Sequence, residues 1–91
     1  MAGGLRNNTE LNRFELDVDG HTAFSYYRKE PGTITLVHTE VPAELGGRGI
    51  GSMLARKVLE EARALGLKVV PKCPFIAAFM GKHPEFNDLL Q

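Results

Sequence analysis

Residues 40–51, Glu-Val-Pro-Ala-Glu-Leu-Gly-Gly-Arg-Gly-Ile-Gly, decide the fold of this chain. The segment has the pattern of a β-strand end, a glycine-rich turn and the first residues of an amphipathic helix. Such a turn leaves backbone N–H groups without partners at a helix N-terminus, where they can bind a phosphate or pyrophosphate. We therefore expect an anionic cofactor at this turn.

Three strands are predicted before the turn. Residues 13–18 alternate apolar and polar side chains, which is typical of a half-buried strand. The pair Asp19-Gly20 is favoured in two-residue hairpin turns, so the aromatic-rich residues 21–29 would form the return strand. Residues 30–32, Glu-Pro-Gly, form a second turn into residues 33–41, which are rich in β-branched side chains. This pattern predicts a three-stranded antiparallel meander.

The pattern after the turn is helix, strand, helix. The apolar period becomes helical over residues 49–65, and Gly66 suits the position just after a helix end. Residues 67–70 predict a short buried strand. Pro74 suits the first position of a second helix that runs to about Met80, with Gly81 as its stop. The order β-β-β-α-β-α predicts an α+β fold with helices packed on a mixed sheet. The expected apolar stripe of the first helix is Ile50, Leu54, Val58, Ala62 and Leu65.

The bulk composition limits the function classes. The chain has 91 residues, which predicts one domain over residues 9–91 after a flexible tail over residues 1–8. Eleven basic residues balance eleven acidic residues, so no net charge favours nucleic acid or an anionic membrane. No apolar run approaches the roughly 20 residues of a membrane span. A single cysteine fits a reducing compartment, and we expect a cytoplasmic protein. No metal site is expected, because the histidines and the cysteine lack ligand spacing.

Several segments resemble one family. The Val-Pro pair at residues 41–42 followed by Gly47-Arg48-Gly49-Ile50-Gly51 is similar to the cofactor turn of the GNAT superfamily of acetyl-CoA-dependent N-acetyltransferases. Residues 38–42 and 69–75, with His83-Pro84-Glu85 downstream, resemble the minimal single-domain GNAT-like group. Gly46 stands where the superfamily prefers Gln or Arg. Phe86 stands where the group often has Tyr, which removes a hydroxyl proton donor.

The resemblance implies acetyl-CoA, or CoA, as the bound cofactor. Backbone N–H groups of the turn would hold its pyrophosphate, and glycines would let the phosphates approach the backbone. The alternative is an ordinary strand-to-helix connection. Weaker candidates for contact with the 3′-phosphate are Arg56, Lys57 and Lys82. The cofactor-binding residues that we expect are Val41, Gly46, Gly47, Arg48, Gly49, Ile50, Gly51, Cys73, Pro74 and Phe75.

Cys73, His38 and Glu40 are the catalytic candidates. Cys73 would occupy the N-cap of the second helix, a position that favours the thiolate, so it could carry the acetyl group or protonate the departing CoA thiolate. Its structural alternative is a small buried residue that packs at a strand end. His38 and Glu40 share strand parity with Ile34 and Leu36, and either could deprotonate an amine. Their structural alternatives are a hydrogen-bonded histidine and a strand-end carboxylate.

The resemblance implies transfer of an acetyl group to a primary amine. The acceptor could be a small-molecule amine or a protein lysine, and the pattern does not distinguish them. The rival hypothesis is a non-catalytic CoA-binding or protein-interaction module. It is favoured by Phe86 and by the group's lack of the N-terminal helices that supply much of the acceptor site in larger GNAT enzymes. We expect a monomer or a weak homodimer that pairs through an exposed strand edge.

Overall fold

The computed structural model describes residues 2–91 as a five-stranded sheet with two α-helices, and the strands lie side by side in chain order. All neighbouring strands are antiparallel except β4 and β5, which are parallel. The predicted α+β fold with a mixed sheet is confirmed. The strands are β1 Ala2–Asn8, β2 Arg13–Val18, β3 His21–Glu30, β4 Thr33–Glu40 and β5 Lys68–Pro71. The helices are α1 Ile50–Ala64 and α2 Pro74–Lys82, with short 3₁₀ helices at Ala43–Leu45 and Pro84–Leu89.

Strand β1 was not predicted from the sequence. The flexible tail expected over residues 1–8 is wrong for residues 2–8, which pair with β2, and residue 1 lies outside the described residues. Glycine and asparagine dominate this segment and have low strand propensity, so it carries no strand pattern. Side chains hold it in place instead: the Tyr27 hydroxyl donates to Asn7 at 2.6 Å, and the Arg6 guanidinium donates to Glu15 at 2.7 Å.

Both helices pack on the same face of the sheet. Phe14, Leu16 and Leu36 point from the strands into one apolar core that also contains Leu54 of α1 and Ile76 of α2. The predicted apolar stripe of α1 is correct except at its end, because α1 stops at Ala64 and the next residue, a leucine, is 50% exposed. The second helix runs one residue beyond its predicted glycine stop and ends at Lys82.

Membrane insertion through a helix has no support in residues 2–91, where neither helix combines the length and the apolar character that a bilayer crossing demands.

A β-bulge in β4 changes which side chains face the helices. Tyr27 pairs with Leu36, but Tyr26 pairs with His38, so Val37 is an extra residue in β4. The extra residue shifts the alternation beyond it by one position. His38 and Glu40 therefore leave the face of Leu36, and the expectation that they share its parity is wrong. The sequence contains no signal for the bulge, because a regular strand would have the same composition.

Candidate active site

The glycine-rich turn presents a row of free backbone donors. Gly46 is not among them, because its N–H donates to the Ala43 carbonyl at 3.0 Å. Among the described residues, the N–H groups of residues 47–52 form no well-aligned bond to a backbone carbonyl, and the first helical bond of α1 joins the Met53 N–H to the Gly49 carbonyl. Gly49 caps α1 with a φ of 71°, in the left-handed region that glycine adopts without strain. The donors therefore cluster at the positive end of a 15-residue helix.

A groove runs along this turn. It encloses about 270 Å³ and opens to solvent. A Cβ at Gly51 would lie 2.8 Å from Cζ of Phe75 on α2, so that ring would have to shift to admit one. The groove continues past Phe75 and Ser52 into a second hollow of about 110 Å³ between α1 and α2, which Lys82 and His83 close. The groove residues are Val41, Leu45, Gly46, Gly47, Gly49, Ile50, Gly51, Ser52 and Phe75.

Arg48 is the one residue of the turn between Gly46 and Ser52 that does not line the groove. Its guanidinium instead donates to Asp19, in the β2–β3 hairpin turn, at 2.6 Å. This hydrogen bond lowers the pKa of the Asp19 carboxyl, which favours the charged form of the pair. The side chain of Arg48, one of the expected cofactor-binding residues, is therefore paired within the protein.

Strands β4 and β5 part next to the turn. Their pairing ends at Leu36 and Pro71, and the Cys73 N–H then donates to the Leu36 carbonyl at 2.8 Å. Beyond the bulge, β4 pairs only with β3, so its other backbone edge is open. Cys73 lies at this fork as the N-cap residue of α2, as predicted, with its side chain 3% exposed.

The Cys73 thiol contacts a hydroxyl pair that the sequence did not indicate. Its Sγ lies 3.4 Å from Oγ1 of Thr39, and Thr39 donates to Oγ of Ser25 at 3.3 Å. Thr39 faces Cys73 only because the bulge reverses the strand alternation. Since the bulge has no sequence signature here, Thr39 could not be selected from the sequence.

His38 and Glu40 lie together on the opposite face of the sheet. His38 Nε2 is 3.4 Å from Glu40 Oε1, and both side chains are 57% exposed. The His38 ring stacks on Tyr26 with centroids 6.4 Å apart. Two of the three catalytic candidates are thus brought together, while Cys73 lies on the helix side of β4.

Two of the basic residues that were candidates for contact with the 3′-phosphate differ in their contacts within the protein. Arg56 contacts Nδ1 of His83 and Oε2 of Glu85, each at 3.2 Å, and its guanidinium lies over the rings of Phe79 and Phe86. Lys82 lines the second hollow, where its ammonium group could bind an anion. Among residues 2–91, no three histidine, cysteine, aspartate or glutamate side chains converge as metal ligands would.

Comparisons with known proteins identify the family of this chain. Residues 13–89 match the sequence model of the GCN5-related N-acetyl-transferase family. The structure is also similar to the NMR solution structure of a GCN5-like candidate N-acetyltransferase from Staphylococcus aureus, with 30% identity and a TM-score of 0.72. That match covers 96% of this chain and 86% of the other. The fold is that of an acetyl-transferring enzyme. Within that class, the chain belongs to the GCN5-related N-acetyltransferase family.

Proposed function

We propose that the protein transfers an acetyl group from acetyl-CoA to a primary amine. One observation carries the proposal: a groove lined by free N–H groups leads to a fork in the sheet where a buried thiol lies. A helix N-terminus with free donors binds phosphate, and an open strand edge can pair with the amide groups of pantetheine. Membership of the GCN5-related family supports the same reaction class.

In this proposal the parts of CoA would follow one another along the groove. The pyrophosphate would accept hydrogen bonds from the N–H groups of residues 47–52. The pantetheine arm would lie in the fork beside Val41, and the adenosine end would enter the hollow closed by Lys82. The thioester would then reach the fork near Cys73. Pro74 and Phe75, at the start of α2, would form the wall beside it.

The catalytic side chains would act from the two sides of the fork. An amine of pKa about 10.4 must lose a proton before it attacks, and His38, with Glu40 beside it, would accept that proton from the open face. The C–N bond then forms and the C–S bond of the thioester breaks. Cys73 would protonate the departing CoA thiolate from the helix side. In a two-step variant the Cys73 sulfur attacks the thioester and the CoA thiolate leaves. The amine then attacks the acetylated Cys73, and the Cys73 sulfur leaves.

Calorimetry tests the cofactor assignment. We expect acetyl-CoA and free CoA to bind with similar affinity, because the pyrophosphate contacts are common to both. Acetyl-pantetheine, which lacks the pyrophosphate, should bind more weakly. If neither CoA form binds at millimolar concentration, the cofactor assignment is wrong.

Single-turnover assays with labelled acetyl-CoA test the thiol. The two-step variant predicts an acetylated protein in the absence of amine, and loss of that label in Cys73→Ala. Protonation of the CoA thiolate predicts no label and a slower turnover in Cys73→Ala. Unchanged turnover would remove Cys73 from the mechanism.

A screen of amines, polyamines and lysine peptides identifies the acceptor class. Release of CoA above background hydrolysis, with acetylated product by mass spectrometry, supports the enzyme. CoA binding without release for any amine would favour the rival hypothesis of a non-catalytic CoA-binding module. Sedimentation in the same buffers gives the oligomeric state.

A further inference from the structure

We propose that Arg48 and Asp19 form a tether that fixes the phosphate-binding turn from outside the groove, so that Arg48 acts on CoA through Asp19 rather than by touching the phosphates. The proposal rests on the cofactor site proposed above and names two positioning residues for it. The turn would then hold the pyrophosphate with backbone donors alone.

The direction of the Arg48 side chain is the first support. Its neighbours Gly47 and Gly49 both line the groove, but Arg48 does not. The guanidinium reaches Oδ2 of Asp19 at 2.6 Å, a separation of 29 residues along the chain. The arginine thus links the turn to a different part of the sheet.

The rigidity of the hairpin is the second support. Asp19 and Gly20 have φ values of 50° and 80°, which are those of a two-residue type I′ hairpin turn. The strands on either side of this turn pair without a break from His21 to Tyr26. Asp19 therefore lies in a tight turn between two continuously paired strands, and its contact with Arg48 joins the glycine-rich turn to this hairpin.

The glycine content of the turn explains why a tether is useful. Four of the six residues from 46 to 51 are glycine, and Gly47 and Gly49 both hold positive φ. Glycine loses more backbone freedom on ordering than any other residue, so an untethered turn would have to be ordered when the ligand binds. A contact that orders the turn beforehand reduces that cost. Both partners are 46% exposed, so the effect should have the size of a surface ion pair.

Calorimetry with CoA on Asp19→Asn, Arg48→Gln and the double variant tests the tether. We expect each single variant to raise Kd about threefold to fivefold, the scale of an exposed ion pair. The double variant should be no weaker than Asp19→Asn alone, because that substitution already removes the Arg48–Asp19 contact. Exchanging the charges, Asp19→Arg with Arg48→Asp, should restore part of the affinity.

A matched control variant distinguishes loss of the tether from the general effect of removing one negative charge on CoA binding. Glu44 is an exposed acidic residue of the 3₁₀ helix before the turn, and it has no ion-pair partner among the described residues. Glu44→Gln removes one negative charge near an anion site, so it should leave CoA binding unchanged or strengthen it slightly. Asp19→Asn removes the same charge but should weaken binding.

Direct contact of Arg48 with phosphate predicts a different pattern. Arg48→Gln would then weaken binding, Asp19→Asn would leave it unchanged or strengthen it, and the charge exchange would not restore it. That pattern would overturn the proposal.

Amide hydrogen exchange in the free protein tests the tether without any ligand. The amides of residues 47–52 in the free protein should exchange faster in Asp19→Asn than in the native chain, while those of α2 should not change. If CoA does not bind but exchange still responds, the cofactor assignment fails and the tether stands. If CoA binds and neither exchange nor affinity responds, the tether fails and the cofactor assignment stands.

Discussion

The two faces of the sheet are stabilised by different interactions. On the face covered by the helices, side chains such as Leu16 and Leu36 are fully buried among apolar neighbours. On the open face, adjacent positions of the same strands carry charges: Glu15 accepts hydrogen bonds from Arg6, Arg13 and Asn8. The covered face therefore stabilises the fold by burial of apolar side chains. On the open face, charged side chains pair with one another, and other polar groups stay exposed to solvent. At the bulge the two patterns meet, because Thr39 turns towards the core and His38 turns away from it.

Truncation in the covered face should have the largest effect on stability. Leu16 has no exposed surface, and Leu16→Ala should lower the free energy of unfolding by about 3 kcal/mol through lost burial and a residual cavity. Urea denaturation measures the loss. Val37→Ala is the control, because this bulge residue is 42% exposed and should cost well under half as much. Equal losses at both positions would contradict the division between the faces.

Replacing His38 on the open face should reduce activity without reducing stability. If His38 accepts the amine proton, His38→Gln should lower kcat about 100-fold and leave the KM for acetyl-CoA unchanged. Its side chain is 57% exposed, so the urea midpoint should not move. His21→Gln, at the start of β3, is the control and should keep full activity. A normal kcat in His38→Gln would leave Glu40 or solvent as the base.

The elements of the fold could be predicted from the sequence where local pattern and long-range packing agree. The alternation of β2, the Asp19-Gly20 turn and the helical period of α1 all gave the observed elements. Strand β1 could not be predicted, because its pairing depends on Arg6 and Asn7 meeting side chains that are distant in the chain.

The site was predicted less completely than the fold. The glycine turn and the position of Cys73 at the N-cap follow from local sequence. The direction of Arg48 and the face of Thr39 do not, since the first depends on an ion pair across 29 residues and the second on a one-residue bulge. Both depend on tertiary packing, which cannot be predicted from a local residue pattern.

The buried carboxylate of the open face should give a smaller, pH-dependent effect. Hydrogen bonds from Arg6 and Arg13 lower the pKa of Glu15 from 4.5 to about 2. The carboxylate therefore stabilises the fold fully above pH 4.5, and this contribution is lost as the pH falls towards 2. At pH 7, Glu15→Gln should lower the free energy of unfolding by about 2 kcal/mol.

Chemical denaturation across pH 2–7 measures the Glu15 effect. The difference between the native chain and Glu15→Gln should shrink steadily below pH 4.5, because the native carboxyl becomes neutral too. Glu30→Gln is the control, since Glu30 is exposed and forms no ion pair within the described part of the chain. A difference that does not vary with pH would mean that Glu15 stabilises the strand by packing alone.

The smallest expected effects come from a pair of helical glycines, one at the groove and one away from it. Ala at position 51 would place a Cβ 2.8 Å from the Phe75 ring, and this 43% exposed side chain would have to move along the groove wall. Gly51→Ala should therefore raise the Kd for CoA about threefold while changing stability by less than about 1 kcal/mol. Gly81→Ala in α2 meets nothing within 4 Å and should stabilise the fold by about 0.5 kcal/mol without changing Kd. Since both substitutions add the same methyl group to a helix, a change in Kd at position 51 alone would locate the cofactor groove on the helix-covered side of the sheet. Equal Kd values for both variants would show that CoA does not use the wall formed by Phe75.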